Sequence, residues 1–152
     1  MFDLQLNPEM LLRAYCSGIF PMGDETGAIR WYSPNPRCIF DLDGFHVPAR
    51  LARTYRSGKF DIRVNTAWEA VLLHCADRDT TWITEKIFKV YTQLHNMGFA
   101  HSVEAYNAQG QLAGGLYGVA IAGAFFGESM FHLETDASKV ALVYLVDRMK
   151  TV

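Results

Sequence analysis

The most apolar stretch of the chain, Gly114 to Phe131, holds one charged side chain, Glu128, among small, aromatic and thioether residues. A carboxylate taken out of water is costly unless something pairs with it, so Glu128 calls for a cationic partner or an amine ligand. The plainer alternative is a glutamate at a strand end with its head in water. Arg50, Arg53 and Arg56 recur every third residue, with Lys59 just beyond, and on a helix they form one basic stripe suited to phosphates or simply a solvated face. Trp31 and Tyr32 precede Ser33-Pro34-Asn35-Pro36, and Arg37 follows it. Two prolines so close restrict the backbone, giving either a rigid stacking and phosphate-binding loop or a connector without chemistry.

Other chemistries find little support. His46, His74, His95, His101 and His132 are scattered, without a helical ligand pair, and no cysteine pair completes a metal site. Cys16, Cys38 and Cys75 are odd in number and widely spaced, as expected of reduced thiols in a cytoplasmic protein. Cys75 falls on an inward helix face, where thiols are usually inert. Gly114-Gly115-x-x-Gly118 lies within a strand pattern and not in a phosphate-cradling turn. The residues after Phe131, His-Leu-Glu-Thr-Asp-Ala-Ser-Lys, lack the glycine-rich turn of a coenzyme A pyrophosphate site. No cofactor is expected.

With 152 residues, 50% hydrophobic and 20% charged, the chain is long enough for one folded domain with a real core. A net charge of −2 excludes a wholly basic nucleic-acid binder but not a local patch. The opening Met-Phe-Asp-Leu-Gln-Leu has no basic region followed by an apolar core, so no secretion signal is read. Glycines interrupt the 114–131 run at short intervals, which speaks against a membrane span and for two strands joined at Ile121-Ala122-Gly123, with both faces mostly covered.

The elements that position these residues follow from local patterns. Asn7-Pro8-Glu9 starts a helix that Gly18 ends, with Leu11, Leu12 and Tyr15 on its apolar face. Strands are expected at 29–32, 38–42, 60–64 and 100–106. Pro48 opens a helix running to about Gly58, and Asn65 is the expected cap of a helix reaching Cys75 with Trp68, Val71 and Leu72 inside. Thr84 begins a helix bearing Ile87, Phe88, Tyr91 and Leu94, which Gly98 stops. Asn107 to Gly110 form a turn into the central strands, and Asp136 caps a last helix with Ala141, Leu142, Leu145 and Met149. Helices, then a three-strand antiparallel meander, then a helix define an α+β domain.

Six motifs in order carry a resemblance: Gly-Ile-Phe-Pro (18–21), Trp-Tyr-Ser-Pro-Asn-Pro-Arg (31–37), Thr-Trp-Ile-Thr (81–84), His-Ser-Val-Glu (101–104), Gly-Glu-Ser-Met-Phe (127–131) and Ala-Ser-Lys (137–139). Together they resemble the leucyl/phenylalanyl-tRNA–protein transferases, over about Asn7 to Met149. The resemblance implies transfer of leucine or phenylalanine, or methionine, from aminoacyl-tRNA to a protein with N-terminal lysine or arginine, marking it for degradation in an N-degron pathway. The ester is already activated, so no ATP, coenzyme A or metal is implied.

The same resemblance implies an acetyltransferase-like antiparallel sheet with flanking helices (34–152) after a small N-terminal helix–loop segment (1–33). Leu116, Phe125 and Met130 would line the pocket for the aminoacyl side chain, Trp82 would lie near the adenosine, and Ser138 near the pocket floor. Glu128 would contact an amine or the basic acceptor as the candidate catalytic carboxylate. Trp31, Arg37, Arg50, Arg53 and Arg56 are the candidate tRNA contacts. Met22 stands where the family usually has a tryptophan, which implies a weakened stacking contact. The family continues past the last helix into a strand with an Asp-x-Gln pair, and the chain ends before it. The resemblance therefore implies a domain truncated at its C-terminus, with a sheet edge open to self-association and activity altered or lost. Competing readings are a non-catalytic module for aminoacyl-tRNA or basic N-termini, and a coenzyme A-dependent acyltransferase, which the junction after Phe131 disfavours.

Overall fold

A computed structural model describes residues 6–151; the first five residues of the N-terminal reading and Val152 lie outside them. The described elements are α1 (Pro8–Cys16), β1 (Phe20–Gly23), β2 (Ile29–Tyr32), α2 (Ala49–Arg56), β3 (Asp61–Val64), α3 (Trp68–Ala76), α4 (Glu85–Asn96), β4 (Ala100–Tyr106), β5 (Leu112–Ile121), β6 (Ala124–His132) and α5 (Ala137–Met149). The fold is α+β. β1 and β2 make a small antiparallel ribbon, and the main sheet runs β3-β4-β5-β6, antiparallel throughout.

Local chemistry explains the boundaries. Asn7 Oδ1 accepts the Met10 amide at 2.9 Å and Pro8 occupies the first turn, so α1 begins as expected. The β5–β6 hairpin turns on Ala122 and Gly123, with φ of +48° and +82°, the pair of left-handed residues a tight two-residue turn requires. Gly118 permits close strand approach, because a Cβ there would sit 2.3 Å from the Phe126 carbonyl oxygen.

The sheet carries helices on both faces. α5 packs on β4 and β5, with Val103, Leu116 and Ala141 buried between them. α3 packs on β5 and β6, α4 on β4, and α1 on α4, around Tyr15, Trp68, Tyr91, Tyr117 and Phe131. β6 is a free edge of the sheet among the described residues, and most of its residues are only partly covered. The expectation of two covered faces thus holds for β5 and not for β6.

Several expectations are corrected. β3 joins the meander as a fourth strand, because its register on β4 survives the intervening α3 and α4. Phe20 to Gly23, for which no strand is expected from the sequence, pairs with Ile29–Tyr32. Cys38 to Leu42 forms no strand; it runs unpaired over the surface with Ile39 and Phe40 exposed and makes no ladder with either sheet. Asn65 does not cap α3: its φ is +59° and its side chain accepts the Ser102 amide at 3.0 Å. Asp136 precedes α5 but makes no side-chain cap, because its carboxylate is taken by Arg50.

Candidate functional site

The pairing of β6 with β5 is regular from Ala124 to Gly127 and again from Ser129 to His132. Gly118 faces Gly127 and Tyr117 faces Ser129, so Glu128 is the extra residue of a β-bulge. A bulge leaves one residue outside the ladder and re-aims its side chain. Here it turns the carboxylate toward α1 and α4. The Tyr15 hydroxyl donates to Glu128 Oε1 and lies 2.6 Å from the Tyr91 hydroxyl. With the Tyr15 proton on Glu128, it is the Tyr91 hydroxyl that donates to Tyr15.

Burial pushes the Glu128 carboxyl up from 4.5 to about 7, against the opposing pull of the Tyr15 and Tyr91 hydroxyls and of the Arg37 charge. The same surroundings raise Tyr15, Tyr91 and Tyr117, first through burial and then through the Glu128 charge. The sequence reading called for a cation or an amine at Glu128. Among the described residues it is hydroxyls that touch the carboxylate, and no lysine or arginine forms an ion pair with it.

A cavity of about 750 Å³ wraps around the free edge of β6. On the α1–α4 side its wall includes Tyr15, Phe20, Met22, Trp82 and Glu128. On the α5 side it includes Leu116, Phe125, Met130, Leu142 and Leu145. Leu116 and Met130 are direct cross-strand partners and so share a face. The segment 37–42 crosses the mouth, bringing Arg37, Ile39 and Phe40 to the rim. Arg37 Nη2 donates to the Gly18 carbonyl at 2.5 Å, and its guanidinium lies 5.9 Å from the Phe20 ring centre.

Six expected site residues are therefore brought together: Met22, Trp82, Leu116, Phe125, Glu128 and Met130, with Arg37 beside them. Ser138 is not; it is buried in the first turn of α5, behind Gly114, outside the cavity wall. Trp31 is exposed on β2, away from the wall. The arginine stripe is divided. Arg50 donates twice to the nearly inaccessible Asp136 carboxylate and holds it below the usual carboxylate range, whereas Arg53 and Arg56 stay exposed on α2.

Tyr15, Phe20, Tyr91 and Tyr117 escaped the sequence reading as site residues. Tyr15 and Tyr91 were placed correctly on inward helix faces, and the overlooked signal was the hydroxyl. A tyrosine at a core position brings a polar atom that needs a partner.

Comparison with known proteins gives one answer. The family described as "Leucyl/phenylalanyl-tRNA protein transferase" matches residues 39–152, and its N-terminal domain matches residues 5–35. A leucyl/phenylalanyl-tRNA–protein transferase of Salinibacter ruber is 53% identical over 146 residues, covering 95% of this chain and 64% of that protein. The proteins of the same name from Rubrobacter xylanophilus and Gloeobacter violaceus are 50% and 51% identical, covering 97% and 95% of this chain and 77% and 75% of theirs. The chain is thus shorter than each of these relatives.

Proposed function

Since the chain belongs to the leucyl/phenylalanyl-tRNA protein transferase family, we propose that its cavity receives the aminoacyl end of leucyl- or phenylalanyl-tRNA and passes the amino acid to a protein with N-terminal lysine or arginine. In the reaction the acceptor's α-amine attacks the ester carbonyl, a peptide bond forms, and the 3′-terminal ribose hydroxyl leaves. The ester supplies the driving force, so no ATP or coenzyme A is consumed. The observation that carries this reading is a carboxylate aimed by a bulge into a largely apolar cavity, with hydroxyls and no cation against it. Such a group suits an ammonium.

In this reading Leu116, Phe125 and Met130 hold the apolar aminoacyl side chain, methionine included. Glu128 holds an amine of the reactants, and Trp82 with Met22 flanks the terminal adenosine. Arg37 at the rim, with the exposed Trp31, Arg53 and Arg56, faces the RNA. Arg50 serves the fold through Asp136, and Ser138 supports the wall from behind. The reading extends to an acetyltransferase-like fold, supported by the antiparallel sheet followed by α5, and to a small N-terminal unit (1–33) before the transfer unit (34–152). It also extends to a cytoplasmic N-degron role, for which the unpaired cysteines Cys16, Cys38 and Cys75 speak. The free edge of β6 supports self-association, measurable by light scattering.

Filter binding with leucyl-tRNA and alanyl-tRNA, followed by transfer of labelled leucine to peptides beginning with arginine or glycine, tests the proposal. Preference for leucyl-tRNA with transfer to the arginine peptide is expected. Preference without transfer would favour a non-catalytic binding module, and equal retention of both tRNAs would overturn the pocket assignment.

A further inference from the structure

Tyr117 stands at the middle of β5 with no solvent exposure, edge-on to Trp68 (ring centres 5.6 Å apart) and to Tyr91 (6.0 Å). The neighbouring Tyr15 hydroxyl is bonded to Glu128 and to the Tyr91 hydroxyl. The Tyr117 hydroxyl is equally buried and has no hydrogen-bond partner among the described residues. A buried polar atom left unpaired costs stability, and phenylalanine would fill the same space without that cost.

The placement of this hydroxyl is specific. Tyr117 faces Ser129 across the ladder, directly beside the extra residue Glu128, and it lines the cavity into which Glu128 turns. Burial and the Glu128 charge both disfavour its ionisation, so it stays a neutral phenol. A neutral phenol oxygen can accept a hydrogen bond from a donor. Tyr15 uses only part of the accepting capacity of the Glu128 carboxylate, which has about four lone-pair positions.

We propose that the Tyr117 hydroxyl is the second half of an ammonium site, so that a primary ammonium of a reactant is held between the Glu128 carboxylate and the Tyr117 oxygen. This rests on the reading of the cavity as an aminoacyl-transfer site. Two reactant groups have this chemistry, the α-ammonium of the aminoacyl ester and an amine of the acceptor's N-terminal residue. The rigid phenol restricts the site to a small cation with several N–H donors. It therefore acts as a specificity-determining residue, retained at the expense of stability.

Calorimetry on Tyr117→Phe tests it, with three probes: an amide-linked 3′-phenylalanylamino-adenosine, its des-amino counterpart, and a peptide beginning with arginine. Thermal unfolding is recorded in parallel. The variant should unfold at the wild-type temperature or about 2 °C above it. Its affinity for the amine-bearing analogue should fall about tenfold, the strength of one hydrogen bond to a charged group, while the des-amino analogue binds unchanged. A loss confined to the arginine peptide would support the same site and assign it to the acceptor. Unchanged affinity for both amine ligands would overturn the proposal. So would a fall of several degrees in unfolding temperature, because the hydroxyl would then serve the fold. If neither nucleoside analogue nor the peptide bound the wild-type protein, the reading of the cavity would fall first and this inference with it.

Discussion

Glu104 on β4 and Glu128 on β6 are carboxylates two strands apart in one sheet, and their surroundings differ. Glu104 has no exposure and accepts from the Thr66 hydroxyl at 2.9 Å, the Ser102 hydroxyl at 2.5 Å, and the Thr66 and Ala67 amides at 3.3 and 3.4 Å. Three of those donors, on Thr66 and Ala67, come from the segment leading into α3, so the carboxylate ties β4 to that helix's start. Glu128 sits at a bulge on the free edge, accepts from the Tyr15 hydroxyl and faces a cavity. Burial alone therefore does not mark a functional acid. A carboxylate whose accepting positions are filled by its own fold is a fastener, and one left partly open toward a cavity is available to a ligand.

The largest effect expected from this contrast is on folding. Glu104→Ala removes the acceptor shared by the fully buried Ser102 hydroxyl, the Thr66 hydroxyl and the Thr66 and Ala67 amides, and should cost about 1–3 kcal/mol in urea unfolding. If that variant were as stable as wild type, the role given to Glu104 would be wrong.

Glu128→Gln should act mainly on ligands. Loss of a charge-assisted contact costs about 1.5–3 kcal/mol, about ten- to a hundredfold in affinity for amine-bearing probes. Its effect on stability has the opposite sign. The folded-state carboxyl is raised from 4.5 to about 7, so the wild type holds this proton more tightly when folded. Wild-type stability should fall as pH rises from 4.5 to about 7, and the glutamine variant should lack that fall. Urea titrations at pH 4, 6 and 8 measure both curves, and parallel curves would show that Glu128 is not perturbed by burial.

On the α5 side, Phe125→Ala removes a partly covered ring from the cavity wall and should narrow the preference for leucyl- over alanyl-tRNA by about 1–2 kcal/mol in filter binding. An unchanged preference in a folded variant would move the aminoacyl pocket elsewhere.

The smallest effects separate the three arginines. Arg50→Gln leaves the Asp136 side chain, 5% exposed, without its cation and should lower the urea midpoint of unfolding. The Asp136 carboxyl is held below its ordinary 3.8, so this loss should be present above that pH and fade below it. Arg53→Gln and Arg56→Gln should leave stability alone and flatten the salt dependence of tRNA binding by about one unit of slope per lost phosphate contact. Equal behaviour of all three would restore the undivided stripe.

What the sequence made legible follows from the range of the interactions. The start of α1, the stop at Gly98 and the turns at 107–110 and 122–123 rest on neighbours a few residues apart, and each was readable. Asn65 looked like a cap, but its partner Ser102 and the acid that serves the segment ahead of α3, Glu104, lie far along the chain. Cys38–Leu42 has strand composition, yet pairing depends on docking in register against another strand, which composition cannot report. Glu128 was legible as a costly charge, because no local pattern compensates it. The bulge that aims it was not, since one extra residue leaves alternation nearly intact, and its partners Tyr15 and Tyr91 sit on helices that read as ordinary apolar faces.

The most direct test of the contrast between the two acids is a carbon-13 NMR titration of the Glu128 carboxyl, assigned through Glu128→Gln, without ligand and with the amide-linked aminoacyl-adenosine. The account predicts a midpoint near 7 in the free protein, falling when the amine-bearing analogue is added and unmoved by its des-amino counterpart. A midpoint near 4.5 that neither analogue shifts would contradict it, and would make Glu128 a solvated edge residue.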